Sequence, residues 1–205
     1  MPLICDKGDM LLYALEDQKN AYRMVYEFKN IDPERVNINA LLGTGIYSLL
    51  EKINPDLIER IQILDQISPS ETVVVIVLKQ IGKKVGIRPK YMLFKTTKSE
   101  SIKEKDDTEE DNDTEEDRSI IFDNSAIPEE QRPLYLEKAG INQALYQPMR
   151  FVYGRTVITP HSLNLHFEVV FKLQIDDELP IYMEHLIGLM YKKIFYNLKR
   201  FVEQI

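Results

Sequence analysis

The side chains best able to bind a metal ion or move a proton in this sequence are three histidines. His161 and His166 stand five positions apart in or beside a predicted strand, so a regular strand would point them to opposite faces. His185 directly follows Glu184, and neighbours at i and i+1 do not face each other on a helix. Neither a His-x3-His nor a His-Glu-x-x-His pattern occurs. The spacing therefore indicates three ordinary histidines and no metal site.

The sequence also lacks the motifs of nucleophilic catalysis and of phosphate binding. Residues 43–45, Gly-Thr-Gly, have neither the third glycine nor the Gly-Lys-Ser/Thr ending of a phosphate loop, and we predict a tight turn or a helix-packing contact there. No Gly-x-Ser-x-Gly elbow is present, and Cys5, the single cysteine, has no histidine near it in sequence. We predict a partly buried structural thiol at Cys5. The expectation is a protein with no catalytic residue, no metal and no cofactor.

The acidic residues are concentrated in one stretch of the chain. Residues 100–118 hold eleven acidic and three basic residues, which leaves 22 acidic and 23 basic residues elsewhere. We predict that residues 98–118 form a disordered insert, because like charges repel and few apolar groups are present to offset the cost of ordering. Thr108 and Thr114 each precede Glu-Glu-Asp, which resembles the acidophilic consensus of casein kinase 2. Both are predicted phosphorylation sites in this insert.

A basic cluster near the C-terminus is the one candidate for contact with a polyanion. It consists of Lys192, Lys193, Lys199 and Arg200. Aromatic residues stand between these cations, as nucleic-acid stacking would require. The helix dipole and a solvated helix face explain the same residues, since cations are favoured near a helix C-terminus. The acidic insert could also fold back on this cluster and compete with another polyanion.

The elements that would position these groups centre on residues 162–173. Large apolar side chains occupy every second position from Leu163 to Leu173, and polar residues fill most places between them. This alternation predicts an antiparallel strand in the middle of a sheet, half buried on one face. Other segments predicted as strands are residues 10–16, 20–29, 72–78, 85–97 and 150–159.

Apolar residues at spacings of three and four predict helices in the remaining segments. A first helix would begin after Asn37 or Asn39 and end near Asn54, and a second would cover residues 56–67. A short helix is predicted near residues 134–138. A long amphipathic helix would begin at Asp176 or Asp177 and end the chain.

Length and composition indicate a folded protein of one domain. The 205 residues are 44% hydrophobic, close to the globular average, and no apolar run reaches the length of a membrane span. We predict a single α+β domain over residues 1–205: a mainly antiparallel sheet with helices on one face, a long C-terminal amphipathic helix and one disordered acidic insert. The single cysteine and the lack of a signal peptide indicate an intracellular protein of the cytoplasm or nucleus.

Three classes of function fit these observations. The first is a non-enzymatic structural or adaptor subunit of a multi-protein assembly, whose partners are other protein subunits; it includes viral structural components in a virion. The second is a nucleic-acid-binding accessory factor. The third is a small-ligand-binding protein or enzyme with an apolar cavity under the C-terminal helix. We expect the first, because no residue pair has the spacing that catalysis demands and because eleven tyrosines and seven methionines suit protein interfaces.

Overall fold

The computed structural model of the chain describes residues 1–80, 88–102, 118–175 and 185–204. Within these ranges the chain forms nine strands and four helices. The strands are β1 (Leu3–Cys5), β2 (Met10–Ala14), β3 (Ala21–Phe28), β4 (Ile58–Gln66), β5 (Glu71–Leu78), β6 (Lys90–Ile102), β7 (Arg118–Ala126), β8 (Gln147–His161) and β9 (Asn164–Ile175). The helices are α1 (Ile38–Leu41), α2 (Gly45–Ile53), α3 (Arg132–Lys138) and α4 (Leu186–Gln204).

All nine strands belong to one sheet in the order β1-β2-β3-β9-β8-β7-β6-β5-β4. Neighbouring strands in this order are antiparallel, and β6 and β8 also make a short parallel contact where Lys90 lies opposite Gln147. The predicted fold class, a mainly antiparallel α+β sheet with a long C-terminal helix, is confirmed. The strand predicted as central, now β9, lies between β3 and β8, well inside the sheet.

The alternation that predicted β9 holds in the structure. From Leu165 to Leu173, every second side chain is at most 3% exposed and belongs to the main core. The rings of β3 lie opposite those of β9, so that Tyr26 stacks on Phe167 with ring centres 4.7 Å apart. Such pairs contribute beyond the burial of their area. Leu163 is 51% exposed, because β9 begins one residue later.

One predicted helix is wrong, because residues 58–66 form strand β4. The apolar residues of this segment, such as Ile58 and Ile61, stand three apart, which is a helical spacing. In the structure, register shifts in the pairing of β4 with β5 fall between Ile58 and Arg60 and between Ile63 and Asp65. A bulge inserts one residue and changes the phase of the alternation, so a twice-bulged strand acquires helix-like spacing. The sequence pattern was therefore misread.

The ends of the predicted acidic insert also differ from the structure. Residues 98–102 belong to β6, and Arg118 begins β7, so both lie in a ladder in which Lys98 pairs with Phe122 and Ile102 with Arg118. The sequence interpretation placed these positions in the insert because they are polar and charged. The polar residues at the far end of a long hairpin give the same composition as a loop. Residues 103–117 lie outside the described part of the chain.

In the described part of the chain, three of the four helices pack on one face of the sheet, as predicted, and the short α3 packs on the other face. Helices α1, α2 and α4 cover the inner face, which carries Val74, Phe94 and Phe167 in the main core. Helix α3 packs on the outer face, where Tyr135 and Leu136 join Val73, Val75, Val77 and other residues of a second, smaller core. Because β5 is buried between these two layers, it reads as a continuous apolar run.

Candidate functional site

A cavity of about 370 Å³ lies between the inner face of the sheet and the helices α1, α2 and α4. Its sheet wall comes from β4 to β9, and its other wall includes Leu50 and Tyr47 of α2 and Ile194 of α4. This volume lies within the range of pockets that bind small molecules, and well above the space that one water molecule needs. The cavity is therefore the candidate site between the sheet and the helices of the described part of the chain.

Most of the cavity lining is apolar. The sheet contributes Leu78, Met92, Phe94 and Ile158, and α4 contributes Met190, Tyr191, Ile194 and Phe195. Phe94 and Phe151 meet edge to face with ring centres 5.1 Å apart, which fixes the wall on the β6–β8 side. Tyr191 and Phe195 lie one helical turn apart, 5.2 Å between ring centres. An apolar ligand is the kind that such a lining accommodates.

One row of polar side chains crosses this apolar lining. On adjacent strands, Gln66 pairs with Thr72, Thr72 with Thr96, and Thr96 with Asn124. Residues directly opposite each other in antiparallel strands point to the same face, so all four side chains face the cavity, and all four line it. We call these four residues the polar row. It separates the apolar interior from the end of the cavity near Ser70 and Lys98.

The hydroxyl groups in this region are buried and remain uncharged. Burial raises the pKa of Tyr47 to about 12, and the nearby Thr96 hydroxyl offsets part of the rise. Although the two groups are close, Thr96 Oγ1 makes no hydrogen bond of ordinary geometry within the described residues. Burial also raises the pKa of Tyr191. Both tyrosines are therefore neutral hydrogen-bonding groups at any physiological pH.

The mouth of the cavity is marked by lining residues that are exposed to solvent. They come from the connection between α1 and α2, at Thr44, and from the β4–β5 turn, at Pro69 and Ser70. Lys98 of β6 is half-buried beside them. The sequence analysis excluded a phosphate loop at residues 43–45; in the structure Gly43 and Thr44 form part of this mouth.

A buried asparagine joins α2 to α4 behind the cavity. Asn54 is 1% exposed, and its Nδ2 donates to the carbonyl oxygens of Leu50 at 3.0 Å and of Ile194 at 3.3 Å. Asn197 Nδ2 in turn donates to Asn54 Oδ1 at 2.8 Å. The Asn54 side-chain nitrogen thus has two acceptors and its oxygen has one donor. These bonds fix the spacing of α2 and α4, the two helices that close the cavity.

The structure places the four predicted polyanion contacts in two different environments. Lys192 and Lys199 are 6% and 5% exposed: Lys192 Nζ donates to Cys5 Sγ at 3.0 Å, and Lys199 Nζ donates to the Glu27 carbonyl oxygen at 2.7 Å. Lys193 and Arg200 are exposed. The four residues thus do not form one exposed patch, since two of them bind the N-terminal strands. Contact of this cluster with a polyanion stays a prediction.

The remaining predicted sites are far from the cavity or outside the described ranges. His161 and His185 are exposed and His166 is half-buried, and none of them lines the cavity. Among the described residues, no group of three histidine, cysteine or acidic side chains is placed to hold a metal ion. Thr108 and Thr114 lie in residues 103–117, which the structure does not describe, so their phosphorylation stays a prediction. The predicted helix start at Asp176 or Asp177 lies outside these ranges as well.

The sequence analysis missed the polar row, and it offered an apolar cavity under the C-terminal helix only in its third class of function, without naming a residue that lines it. Thr72 was predicted as the first residue of a strand over residues 72–78, and Thr96 as the last residue but one of a strand over residues 85–97. The side chains of the polar row are brought together only by the register of four strands, because its ends, Gln66 and Asn124, are far apart in the sequence. A detectable signal was present, because two threonines stand on the buried face of strands that are otherwise apolar. No periodicity shows whether such a face meets a core or a cavity.

The fold resembles that of lipid-transfer domains of known structure. Neither a protein-family model nor a curated protein matches the sequence. The structure superposes on the human StarD13 lipid transfer and protein localization domain with a TM-score of 0.67 at 8% identity, covering 100% of this chain and 89% of that one. The human StAR-related lipid transfer protein 5 gives a TM-score of 0.61 at 11% identity, covering 99% and 86% of the two chains.

Another similar solved structure aligns with this chain almost from end to end. A STAR-related lipid transfer protein from Xanthomonas axonopodis gives a TM-score of 0.58 at 11% identity, over 99% of this chain and 97% of that one. At such identities the likeness shows the fold, which is the α+β arrangement of a mainly antiparallel sheet with a long C-terminal helix packed against it.

These findings correct the first expectation about function. A structural or adaptor subunit that binds other protein subunits, including a viral structural component, is contradicted by a fold shared with lipid-transfer domains. The sequence analysis chose that class because it found no site, whereas the cavity is assembled from residues far apart in the chain. The predicted alternative of a small-ligand-binding protein with an apolar cavity under the C-terminal helix agrees better. No helix in the described residues is long and apolar enough to cross a membrane.

Proposed function

We propose that this protein is a non-enzymatic carrier that binds one small, largely apolar ligand of the lipid class in the cavity between its sheet and α4. The observation that carries the proposal is the cavity itself, about 370 Å³ in volume and lined mainly by aliphatic and aromatic side chains. A folded protein normally fills its interior, so a space of this size beneath a helix calls for an occupant.

The physical chemistry of the lining favours an apolar ligand. Transfer of apolar surface from water into such a space is favourable by roughly 25 cal/mol per Å². The ligand would contact Phe94 and Ile158 on the sheet and Ile194 on the helix. A ligand-free cavity leaves these side chains without partners on one side and loses their dispersion contacts. Binding would therefore stabilise the packing of α4 over the sheet.

The structural relatives support the same proposal. Their names describe lipid transfer, and their fold covers nearly all of this chain. The non-enzymatic part of the proposal rests on the lining, where the described residues supply apolar, hydroxyl and amide groups and the ammonium group of Lys98 at the mouth, but no acidic or histidine side chain. The single cysteine supports a reducing compartment, either the cytoplasm or the nucleus.

The uncharged fluorescent dye Nile red tests the proposal. We expect saturable binding of one dye per protein, with the blue-shifted emission of an apolar environment. Two variants fill the cavity from opposite walls, Ile76→Trp from β5 and Met190→Trp from α4, since both residues are half-buried and line it. Each should weaken Nile red binding by about tenfold or more, because the indole ring takes up the volume that the dye needs.

The matched control is Leu134→Trp. This residue lies on α3 at the outer face and is 65% exposed, so the same ring is added far from the cavity. Its dye binding should equal that of the unaltered protein, and circular dichroism should show that all three variants fold. Unsaturable dye uptake, or equal binding by the folded cavity variants, would show that the cavity does not bind ligand.

A further inference from the structure

We propose that the ligand is an uncharged amphiphilic alcohol whose hydroxyl group binds the polar row, while its apolar body fills the interior of the cavity. This inference rests on the proposed function and adds the chemistry of the ligand's polar end. It assigns Thr72, Thr96 and Asn124 as the residues that determine specificity.

The register of the sheet gives the polar row its geometry. Thr72 pairs with Thr96 and Thr96 with Asn124, so three hydrogen-bonding side chains lie side by side across β5, β6 and β7. Side chains directly opposite each other in such a ladder have Cβ atoms about 5 Å apart. One ligand oxygen placed between two of them therefore lies within hydrogen-bonding reach of both. The next residues toward the interior, Val74 and Phe94, are apolar, and Phe94 lines the region where the ligand's body would lie.

Burial makes this row an incomplete hydrogen-bonding site. Thr72 is 2% and Thr96 5% exposed, and Thr96 Oγ1 has no hydrogen bond of ordinary geometry to any described residue. A buried polar atom without a partner costs free energy, and the great majority of such atoms in proteins are paired. The Tyr47 hydroxyl lies nearby and remains protonated. A ligand hydroxyl, which both donates and accepts, matches threonine, tyrosine and asparagine groups that do the same.

The charges around the cavity disfavour an ionised ligand. Among the described lining residues, Lys98 is the one side chain that is charged at neutral pH, and it is at the mouth. Its charge is partly balanced by Glu100, whose carboxyl pKa is lowered mainly by Arg118 and also by Lys98. A carboxylate or phosphate at the polar row would lose its hydration without gaining an ion pair in the interior. An uncharged hydroxyl has no such penalty.

The size of the cavity limits the rest of the ligand. A volume of about 370 Å³ lies near the lower end of the range for small-molecule pockets. It suits a single alkyl chain of moderate length or a compact ring system. A lipid with two long chains would exceed it.

Displacement of Nile red by three ten-carbon compounds tests the inference. These are 1-decanol, decanoate at pH 8, where the acid is fully ionised, and 1-chlorodecane, which has the same chain without a hydrogen-bonding hydroxyl. We expect 1-decanol to displace the dye at a concentration about tenfold lower than decanoate does. The chlorinated compound serves as the reference for the apolar chain.

Three single substitutions connect the preference to the polar row. Thr96→Val and Thr72→Val remove one hydroxyl each with little change in shape. Each should weaken the binding of 1-decanol by about fivefold without weakening the binding of 1-chlorodecane. Two variants are used so that one survives if the other is unstable. Thr97→Val is the matched control, because Thr97 adjoins Thr96 on β6 and points to the opposite face. This variant should bind all three compounds as the unaltered protein does.

The outcomes separate this inference from the proposed function. If Nile red does not bind at all, the proposed function fails. Dye binding with equal loss of 1-decanol and 1-chlorodecane in the valine variants would overturn the inference alone. A preference for decanoate over 1-decanol would also overturn the inference. If this preference disappeared in the Lys98→Met variant, the ligand would be an anion held at the mouth of the cavity.

Discussion

The contact between Cys5 and Lys192 shows how strongly one side chain is determined by its surroundings. Lys192 is 6% exposed, and its Nζ donates to Cys5 Sγ at 3.0 Å. This hydrogen bond is the main cause that lowers the pKa of the Cys5 thiol, with a smaller contribution from the backbone at Lys7. A lysine on the helix thereby joins α4 to the first strand, at a position that sequence analysis assigned to a solvated basic cluster.

Replacing Lys192 should change the reactivity of this thiol. Lys192→Met removes the donor, so the pKa of Cys5 should rise and its alkylation by iodoacetamide at pH 7 should slow, because the thiolate is the nucleophile. The measurement is the alkylation rate as a function of pH, whose inflection should move to higher pH. Lys193→Met removes the same charge from the exposed neighbouring position and should leave the profile unchanged. Equal profiles for all three proteins would show that the contact does not exist in solution.

The same pair makes stability depend on pH in a definite direction. Because the folded chain lowers the pKa of Cys5, deprotonation of the thiol favours the folded state. The contribution is complete above the ordinary thiol pKa of 9.0 and is lost as the pH falls through the folded value. Cys5→Ser should remove this dependence.

At the scale of elements, the position of α4 depends on close packing against β3. A Cβ atom added at Gly188 would lie 2.7 Å from Tyr22 Cε1 and 2.8 Å from its Cδ1. Tyr22 is 1% exposed and its ring lies 5.4 Å from that of Phe171, so it has no free space into which to move. The absence of a side chain at Gly188 is thus what lets the helix approach the sheet.

Gly188→Ala separates this packing effect from helix propensity. Propensity alone predicts a gain of roughly 1 kcal/mol for alanine over glycine inside a helix. The contact with Tyr22 predicts a loss instead, about 1–3 kcal/mol in the free energy of unfolding, because the core is overpacked. Urea denaturation followed by circular dichroism measures the sign. A stabilised variant would mean that α4 lies farther from β3 than the structure has it.

Element prediction succeeded where the alternation is uninterrupted and failed where bulges occur. β3, β5 and β9 follow a strict alternation or a continuous β-branched run, and all three were predicted. β4 was taken for a helix because two register shifts changed the spacing of its apolar residues. The α1–α2 region was predicted as helical, and Asn37 does cap α1 through a bond from Ala40 N to its Oδ1 at 3.0 Å. Regular strands were therefore predicted from the sequence, whereas the strand interrupted by bulges was not.

At the scale of the whole molecule, the site arises only from the complete sheet. The polar row needs the register of β4 to β7, and the opposite wall needs α2 and α4. These segments are separated by tens of residues, so no local pattern marks them as neighbours. An apolar face that meets a cavity has the same sequence as one that meets a core. The fold class could accordingly be predicted, whereas the function was assigned to the wrong class.

Ligand binding should stabilise the entire fold by mass action. A ligand at about 100 times its dissociation constant adds about 2.7 kcal/mol, which corresponds to a rise of roughly 5–10 °C in Tm for a chain of this length. Circular dichroism with and without 1-decanol measures this, since the chain has no tryptophan for fluorescence. The cavity-filled variant Ile76→Trp should show no rise. An equal rise in both proteins would indicate binding elsewhere.

The outer layer formed by α3 has a mechanical consequence. Tyr135 Oη donates to Asp65 at 3.2 Å, Arg60 Nη2 donates to the Ala139 carbonyl oxygen at 2.8 Å, and Arg132 Nη2 donates to Tyr91 Oη at 3.2 Å. These bonds fasten the helix to the back of β4 and β6, and apolar packing joins it to β5 between them, so that α3 lies behind the strands that hold Thr72 and Thr96. The outer helix therefore supports the sheet from behind. We expect the sheet to stay in place when a ligand enters or leaves the cavity, and the helices opposite, α2 and α4, to move.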